Sequence, residues 1–166
     1  MHTPIDVIEI MAMIIRSATQ DDSDFIHALS PRLAGVADLD WRSAAEVMRF
    51  QRAFMRETLE MPRAGAVTFI ACDGDGGERL GFIHAEPQLD IFTDRNAAYI
   101  PLLAVSDAAE GKGVAKALMA RVEEWAREQG YGHIALDVFA SNARGRAFYA
   151  RQGYGEETLR LVKDIR

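Results

Sequence analysis

Apolar residues along this chain follow two rhythms. Tyr99, Ile100, Leu102, Leu103 and Val105 form a nearly unbroken apolar run, the mark of a strand buried on both faces. Directly downstream, Val114, Leu118, Val122 and Trp125 recur at helical spacing, which predicts an amphipathic helix with one face in the core. The segment Ser106–Gly113 joins them. The other elements arrange themselves around this centre. Met13–Arg16 reads as a short strand, and Asp21 or Asp22 caps a helix whose inner face carries Phe25, Ile26 and Leu29. Ser43 and Glu46 form a capping box that opens a helix burying Val47, Phe50 and Phe54 and stopping before Pro62. Strands follow at Ala66–Cys72 and Arg79–Ala85, then a strand end and loop over Glu86–Ala97. Gly130 stops the central helix. Ile134–Phe139 is the next strand, Asn142–Gln152 a short helix, and Thr158–Ile165 alternates as a last strand. The order is mixed α/β, with no repeat and no linker.

Composition narrows the function. The chain has 166 residues and a formal net charge of −6, one domain's length with room for a real core. An acidic chain argues against nucleic acid as a main partner, because phosphate contacts need a basic face. Cys72 is the single cysteine, so nothing points to secretion, and a cytoplasmic protein is expected. His2, His27, His84 and His133 lie far apart without metal-ligand spacing, so no metal is expected. Asp73-Gly74-Asp75-Gly76-Gly77 suggests a calcium loop. Its sixth and twelfth places hold Glu78 and His84 instead of Gly and Glu, so a hairpin turn is the better reading. No apolar run approaches membrane-spanning length, and no membrane partner is expected. Residues 1–12 carry Asp6 and Glu9 and lack a basic start, unlike a signal peptide. They read as an N-terminal extension in front of one domain, 13–166.

The joining segment carries the chemistry. Gly111 and Gly113 sit where the chain turns into the helix. They let backbone N–H groups converge at a positive dipole end, a setting for a phosphate or pyrophosphate. Lys112 adds a positive charge. The nucleotide-triphosphate pattern fails because Gly113 follows Lys112, and the dinucleotide fingerprint is only partial because its third glycine position holds Lys116. The run instead resembles the acetyl-CoA loop of the GNAT superfamily of N-acyltransferases, [Q/R]-x-x-G-x-[G/A]. Gly113 and Ala115 match, Glu110 stands where Arg or Gln is usual, and Leu103-Ala104-Val105 looks like the strand end before the loop. Downstream, Asn142, Tyr149 and Gly153-Tyr154 resemble the family's N-x-x-A-x-x-[FY]-Y and G-[FY] patterns, with Gly145 in place of the usual Ala. The likeness runs from about Ile14 to the C-terminus and is most specific from Tyr99 to Tyr154.

The resemblance implies an α/β fold of the α+β type. Its sheet is mixed, mostly antiparallel and twisted, flanked by helices, with central strands splayed to admit the cofactor. It implies transfer of an acetyl group from acetyl-CoA to a primary amine of a small molecule or protein. It implies that Leu103, Ala104 and Val105 offer backbone groups to the cofactor and the acyl carbonyl. Glu110, Gly111, Lys112, Gly113, Val114 and Ala115 form the pyrophosphate loop, and Asn142 hydrogen-bonds the pantetheine region. Tyr149 stands at the family's proton donor, and a phenol can protonate a positioned thiolate. A core role for Tyr149 and a capping role for Asn142 are the alternatives.

Where related sequences carry a strand carboxylate, this one reads Ile100-Pro101-Leu102-Leu103. Pro101 removes a donor, which predicts a bulge or edge there. A base comes instead from Glu86, Asp90 or Asp94, or the enzyme takes the neutral fraction of the amine. Trp41, Glu86, Asp90 and Phe92 are the candidate acceptor contacts. Phe50 and Phe54 read as core by their spacing. The alternative function is a non-catalytic acyl-CoA-binding module on the same fold; a nucleotide enzyme with a coincidental glycine loop is a third reading. A homodimer is compatible with all three.

Overall fold

The computed structural model describes residues 13–165; the extension at 1–12 lies outside them. A five-stranded sheet runs in the order β1-β2-β3-β4-β5. The strands are β1 (Met13–Ser17), β2 (Val67–Asp73), β3 (Arg79–Asp90), β4 (Arg95–Val105) and β5 (Ile134–Leu136). The first four are antiparallel neighbours, and β4 and β5 are parallel. The helices are α1 (Ser23–Ala28), α2 (Ser30–Ala34), α3 (Ala44–Glu60), α4 (Val114–Glu128) and α5 (Ala143–Arg151). No helix among the described residues is long and apolar enough to cross a membrane.

Alternation along the strands feeds two cores. On one face Phe69, Ala71, Ile83, Ala85, Ala98 and Ile100 meet Val114, Leu118, Met119, Val122 and Trp125 of α4. That is the helical stripe expected from the sequence. Phe148 and Tyr149 of α5 pack against the same cluster. On the other face Ile70, Cys72, Phe82, Leu102 and Ala104 meet Ile26, Leu29 and Met55, covered by α1 to α3.

The capping box forms: the Ser43 side chain accepts from the Glu46 N–H, and Glu46 returns to the Ser43 N–H at 2.8 Å. The buried face of α3 differs from expectation. Val47, Gln51 and Met55 point inward, while Phe50 is 56% exposed and stacks on half-buried Phe54 at 5.7 Å. The stripe Val47–Gln51–Met55 keeps a four-residue step and leaves Phe50 outside, with Phe54 packed at its edge against the core, because Met fills the irregular space above the sheet. Met55→Ala should cost about 2–5 kcal/mol, and Phe50→Ala about 1 kcal/mol or less. Denaturant unfolding of both variants checks this phase.

Three other expectations change. Asp22 stands at the N-cap of α1, but its side chain makes no cap hydrogen bond to that helix. It is fully buried, bound by Arg16 through contacts of 2.7 and 2.8 Å and by Arg79 Nε at 2.6 Å. Glu86–Ala97 is not a strand end and loop. It is a long β3–β4 hairpin with its turn at residues 91–94, in which Pro87 pairs with Ala98. The last strand does not form: residues 154–165 have no regular structure, and Leu159 and Leu161 are 71% and 91% exposed. Alternation alone does not make a strand without a neighbour. Here β5 stops at Leu136, three residues short of the expected Phe139, and offers only a short edge.

Two irregularities in β4 position the site. His84 lies opposite Leu102 and Glu86 opposite Tyr99. The step from Tyr99 to Leu102 therefore faces a shorter step on β3, and the surplus residue bulges at Ile100–Pro101. This is the place where the missing proline donor predicted it. On its other side β4 pairs with β5 only through Ala98, Tyr99 and Ile100. From Pro101 to Val105 that edge has no ladder partner among the described residues, and the central strands part.

Candidate functional site

The opening between β4 and β5 leads to the glycine loop. After β4 the chain makes one 3-10 turn, Asp107–Ala109, and enters α4 through Gly113. Gly111 and Gly113 have φ of 74° and 79°, values that side chains other than glycine's rarely adopt. A Cβ at either position would meet no protein atom within 4 Å, so the loop faces open space and the left-handed backbone is what demands glycine. No side chain caps α4. The N–H groups of its first turn have no partner within the helix, and they point where its dipole is positive.

Glu110, the departure from the usual Arg or Gln, has a local explanation. Arg32 of α2 is ion-paired with both Glu110 and Asp107. Arg144 of α5 reaches Glu110 Oε2 at 2.7 Å. The acid is neutralised from two sides, and it holds two guanidinium groups beside the loop. Lys112 is exposed next to them.

A polar strip crosses the opposite face of the sheet, beside the bulge. The side chains of Thr68 on β2 and His84 on β3 meet at 2.8 Å between Oγ1 and Nδ1. Two residues along β3, Glu86 is also buried; its Oε1 lies 3.1 Å from Arg63 Nε and its Oε2 3.8 Å from His84 Nε2. Tyr99 on β4 lies opposite Glu86 and donates its hydroxyl to Asp137 Oδ2 at 2.9 Å. Burial pushes the Tyr99 phenol up, and the hydrogen-bonded Asp137 carboxylate and nearby Glu86 push it further. Burial drives the His84 pKa down to about 4, so the imidazole is neutral at pH 7.

The structure brings Glu86 together with three residues that sequence reasoning did not select: Thr68, His84 and Tyr99. His84 and Glu86 are legible as alternate residues on one strand face. The partners on β2 and β4 depend on register and on the bulge, which no local pattern announces. Asp90 and Phe92 are not part of this strip. Asp90 ends β3 and Phe92 lies in the hairpin turn, where the Asp90 carboxylate accepts from the Phe92 N–H at 3.0 Å and from the Thr93 hydroxyl. Those bonds hold its pKa below the ordinary carboxylate value. Phe92 is 72% exposed. Asp94, also in the turn, has a positive φ of 55°. Trp41 is half-buried in the loop before α3.

The downstream motif falls on α5. Asn142 is its N-cap, accepting from the Gly145 N–H at 2.9 Å. A Cβ on residue 145 would press on the Asn142 side chain as it is placed here. Tyr149 packs edge-on against Phe148 at 5.3 Å and Tyr154 at 5.9 Å. Burial raises its pKa, so the phenol keeps its proton. Among the described residues no group of three or more His, Cys, Asp or Glu side chains is arranged to hold a metal.

This fold and loop define an acyltransferase architecture, and the comparisons agree. The profile of the Acetyltransferase (GNAT) family matches residues 35–154. The uncharacterized N-acetyltransferase YdgE of Bacillus subtilis (strain 168) is 32% identical over 93 residues, 55% of this chain and 57% of YdgE. An aminoglycoside N(6')-acetyltransferase type 1 of Stenotrophomonas maltophilia is 30% identical over 63% of this chain and 69% of its own length. The structure of a putative acetyl transferase from Pyrococcus furiosus superposes with a TM-score of 0.74 at 25% identity, covering 93% of this chain and 100% of that one. The chain belongs to the GNAT acetyltransferase family. It spans little more than half of YdgE and 40% of another curated relative, N-acetyltransferase 8F1 of Mus musculus.

Proposed function

We propose that this protein transfers an acetyl group from acetyl-CoA to a primary amine. The observation that carries this reading is a coincidence of place. β4 parts from β5 at Pro101, the point where it bulges against β3. The free backbone edge of Leu103, Ala104 and Val105 thus lies between the glycine loop and the Glu86 strip.

The loop suits a pyrophosphate: uncapped N–H groups, no Cβ in the way, and cations at its rim. Gly111, Lys112, Gly113, Val114 and Ala115 would hold it. Glu110 serves by fixing Arg32 and Arg144 rather than by touching phosphate, since like charges repel. Asn142 keeps the start of α5 in register on the far wall. When bound, the cosubstrate supplies an activated thioester acetyl group. The remaining work falls to side chains. Glu86 accepts a proton from the acceptor ammonium, so the nitrogen keeps its lone pair. Backbone N–H groups of the free β4 edge stabilise negative charge on the acyl oxygen. Tyr149 delivers its proton to the leaving sulfur. The carboxylates Glu86 and Asp137 suit a cationic amine, and Arg63 limits how much positive charge this site tolerates.

Product mass spectrometry on a panel of primary amines with acetyl-CoA tests the reaction. Binding without any acetylated product would instead support a non-catalytic acyl-CoA-binding module. The loop has its own test. Gly113→Val should weaken acetyl-CoA binding strongly and leave the apo fold largely intact, because its Cβ meets open space while its φ of 79° does not suit a β-branched residue. Equal affinities by calorimetry would remove the phosphate-loop assignment.

A further inference from the structure

His84 is a buried titratable side chain that the proposed reaction leaves without a task. It is 2% exposed, so it cannot touch an acceptor directly. Its Nδ1 is occupied by Thr68, and its Nε2 is buried without a hydrogen-bond partner among the described residues. Orphaned buried polar atoms are rare in folded proteins and call for an explanation.

The surroundings decide the tautomer. With the proton on Nδ1, the Nε2 lone pair would face the Glu86 carboxylate 3.8 Å away, which is repulsive. With the proton on Nε2, the N–H dipole points at that carboxylate and Nδ1 accepts the Thr68 hydroxyl. The second arrangement satisfies both contacts. A separation of 3.8 Å is too long for a hydrogen bond, but an approach of about 0.8–1 Å by the carboxylate makes one. On its solvent side Glu86 is held by Arg63, which is 59% exposed and therefore easily displaced. Among the described residues, the charged and titratable groups in contact with Glu86 are Arg63 and His84, with Tyr99 opposite it on β4, and His84 faces Glu86, Thr68 and, across the strands, Leu102.

We propose that His84 is a positioning residue for Glu86: Thr68 fixes the imidazole as the Nε2–H tautomer, and that N–H donates to Oε2 when an acceptor ammonium displaces Arg63 from Oε1. This rests on Glu86 being the proton acceptor. Oε1 then forms an O–H bond as the ammonium N–H bond breaks, the electron pair stays on nitrogen, and His84 never changes its protonation. Once the amine is bound, that N–H keeps the carboxylate aimed and charged until the proton is transferred. Catalytic hydrogen bonds that are long in the free protein and tighten on binding fit this behaviour.

Long-range proton–nitrogen NMR on the folded protein reads the tautomer. The expected spectrum is a neutral Nε2–H imidazole at pH 7 that stays neutral down to about pH 4. A proton on Nδ1, or an imidazolium at pH 7, overturns the proposal. The pH profile of kcat, which reports the acceptor-bound enzyme in which the His84–Glu86 hydrogen bond is made, supplies the functional readout. His84→Phe removes a donor from the carboxylate, so the acid limb should move up by about one pH unit. Thr68→Val keeps the imidazole but frees its tautomer, and should move the limb less in the same direction; it stands in if the phenylalanine variant does not fold. An acid limb that stays put in the folded variants, with activity merely reduced, means that His84 is structural. Glu86→Gln separates the two ideas. If it keeps the wild-type acid limb, Glu86 is not the base and the proposal falls with it. If the limb is lost but His84→Phe leaves it in place, only the role of His84 is refuted.

Discussion

Tyr149→Phe should lower turnover by ~10²–10⁴-fold, the factor a positioned acid contributes, while thermal stability stays close to that of the wild type. The substitution keeps the ring, and with it the edge-on contacts to Phe148 and Tyr154. Only the hydroxyl is lost. Burial raises the phenol's pKa, so the group carries its proton throughout the neutral range and can give it to a leaving sulfur. Acetyl-CoA affinity should fall less than turnover, because the proton is needed where negative charge develops and not in the bound ground state. Measuring kcat and thermal unfolding on one preparation separates the possibilities. A lower melting temperature with nearly normal turnover per folded molecule would make Tyr149 a packing residue on α5 and no more.

Asp22→Ala should be strongly destabilising. The carboxylate is completely buried and joins three places: Arg16 on β1, Arg79 on β3, and the Thr19 N–H at 2.7 Å ahead of α1. Removing it strands two guanidinium groups. Such a loss costs about 3–5 kcal/mol, and the low end, about 3 kcal/mol, is expected because Arg16 and Arg79 are about one-third exposed and partly rehydrate.

The hydrogen bond from Arg16, then those from Arg79 and the Thr19 N–H, hold the Asp22 pKa far below the usual carboxylate range. The sign for pH follows. The stabilisation is fully present above the unfolded carboxylate pKa of about 3.9 and is lost as pH falls below it toward the folded value. Thermal unfolding from pH 7 to pH 3 should therefore show a steeper acid-side loss in the wild type than in Asp22→Ala. Parallel curves would mean that another group controls acid stability.

The parts of this molecule legible in the sequence are those fixed by local chemistry. The Tyr99–Val105 run, the stripe on α4 and the Ser43–Glu46 box each carry their own periodicity or capping signal, and each forms. Gly111 and Gly113 were legible for the same reason, since a positive φ needs glycine. Pro101 announced the bulge through its missing donor. What escaped depends on contacts between distant segments. Nothing around His84 shows that Thr68 will lie beside it; that takes the β2–β3 register. Nothing around Glu110 shows that Arg32 and Arg144 will neutralise it. On α3 Phe54 packs against the core as its spacing suggests, but Phe50 turns outward although it is more hydrophobic than the buried Gln51, because the sheet surface above Cys72 and Phe82 is filled by Met55. The alternation over Thr158–Ile165 is real, but a strand is a property of a pair, and the short β5 supplies no ladder for it.

Amine-dependent thiol release tests the central claim most directly. Purified protein is mixed with acetyl-CoA, and free thiol is followed with and without each primary amine, for the wild type and for Glu86→Gln. The account predicts release that requires an amine, saturates with it, and falls by ~10²–10⁴-fold in the Glu86 variant, as expected for loss of a general base. Release at the same rate without any amine, or no release with any amine despite measurable acetyl-CoA binding, would contradict it.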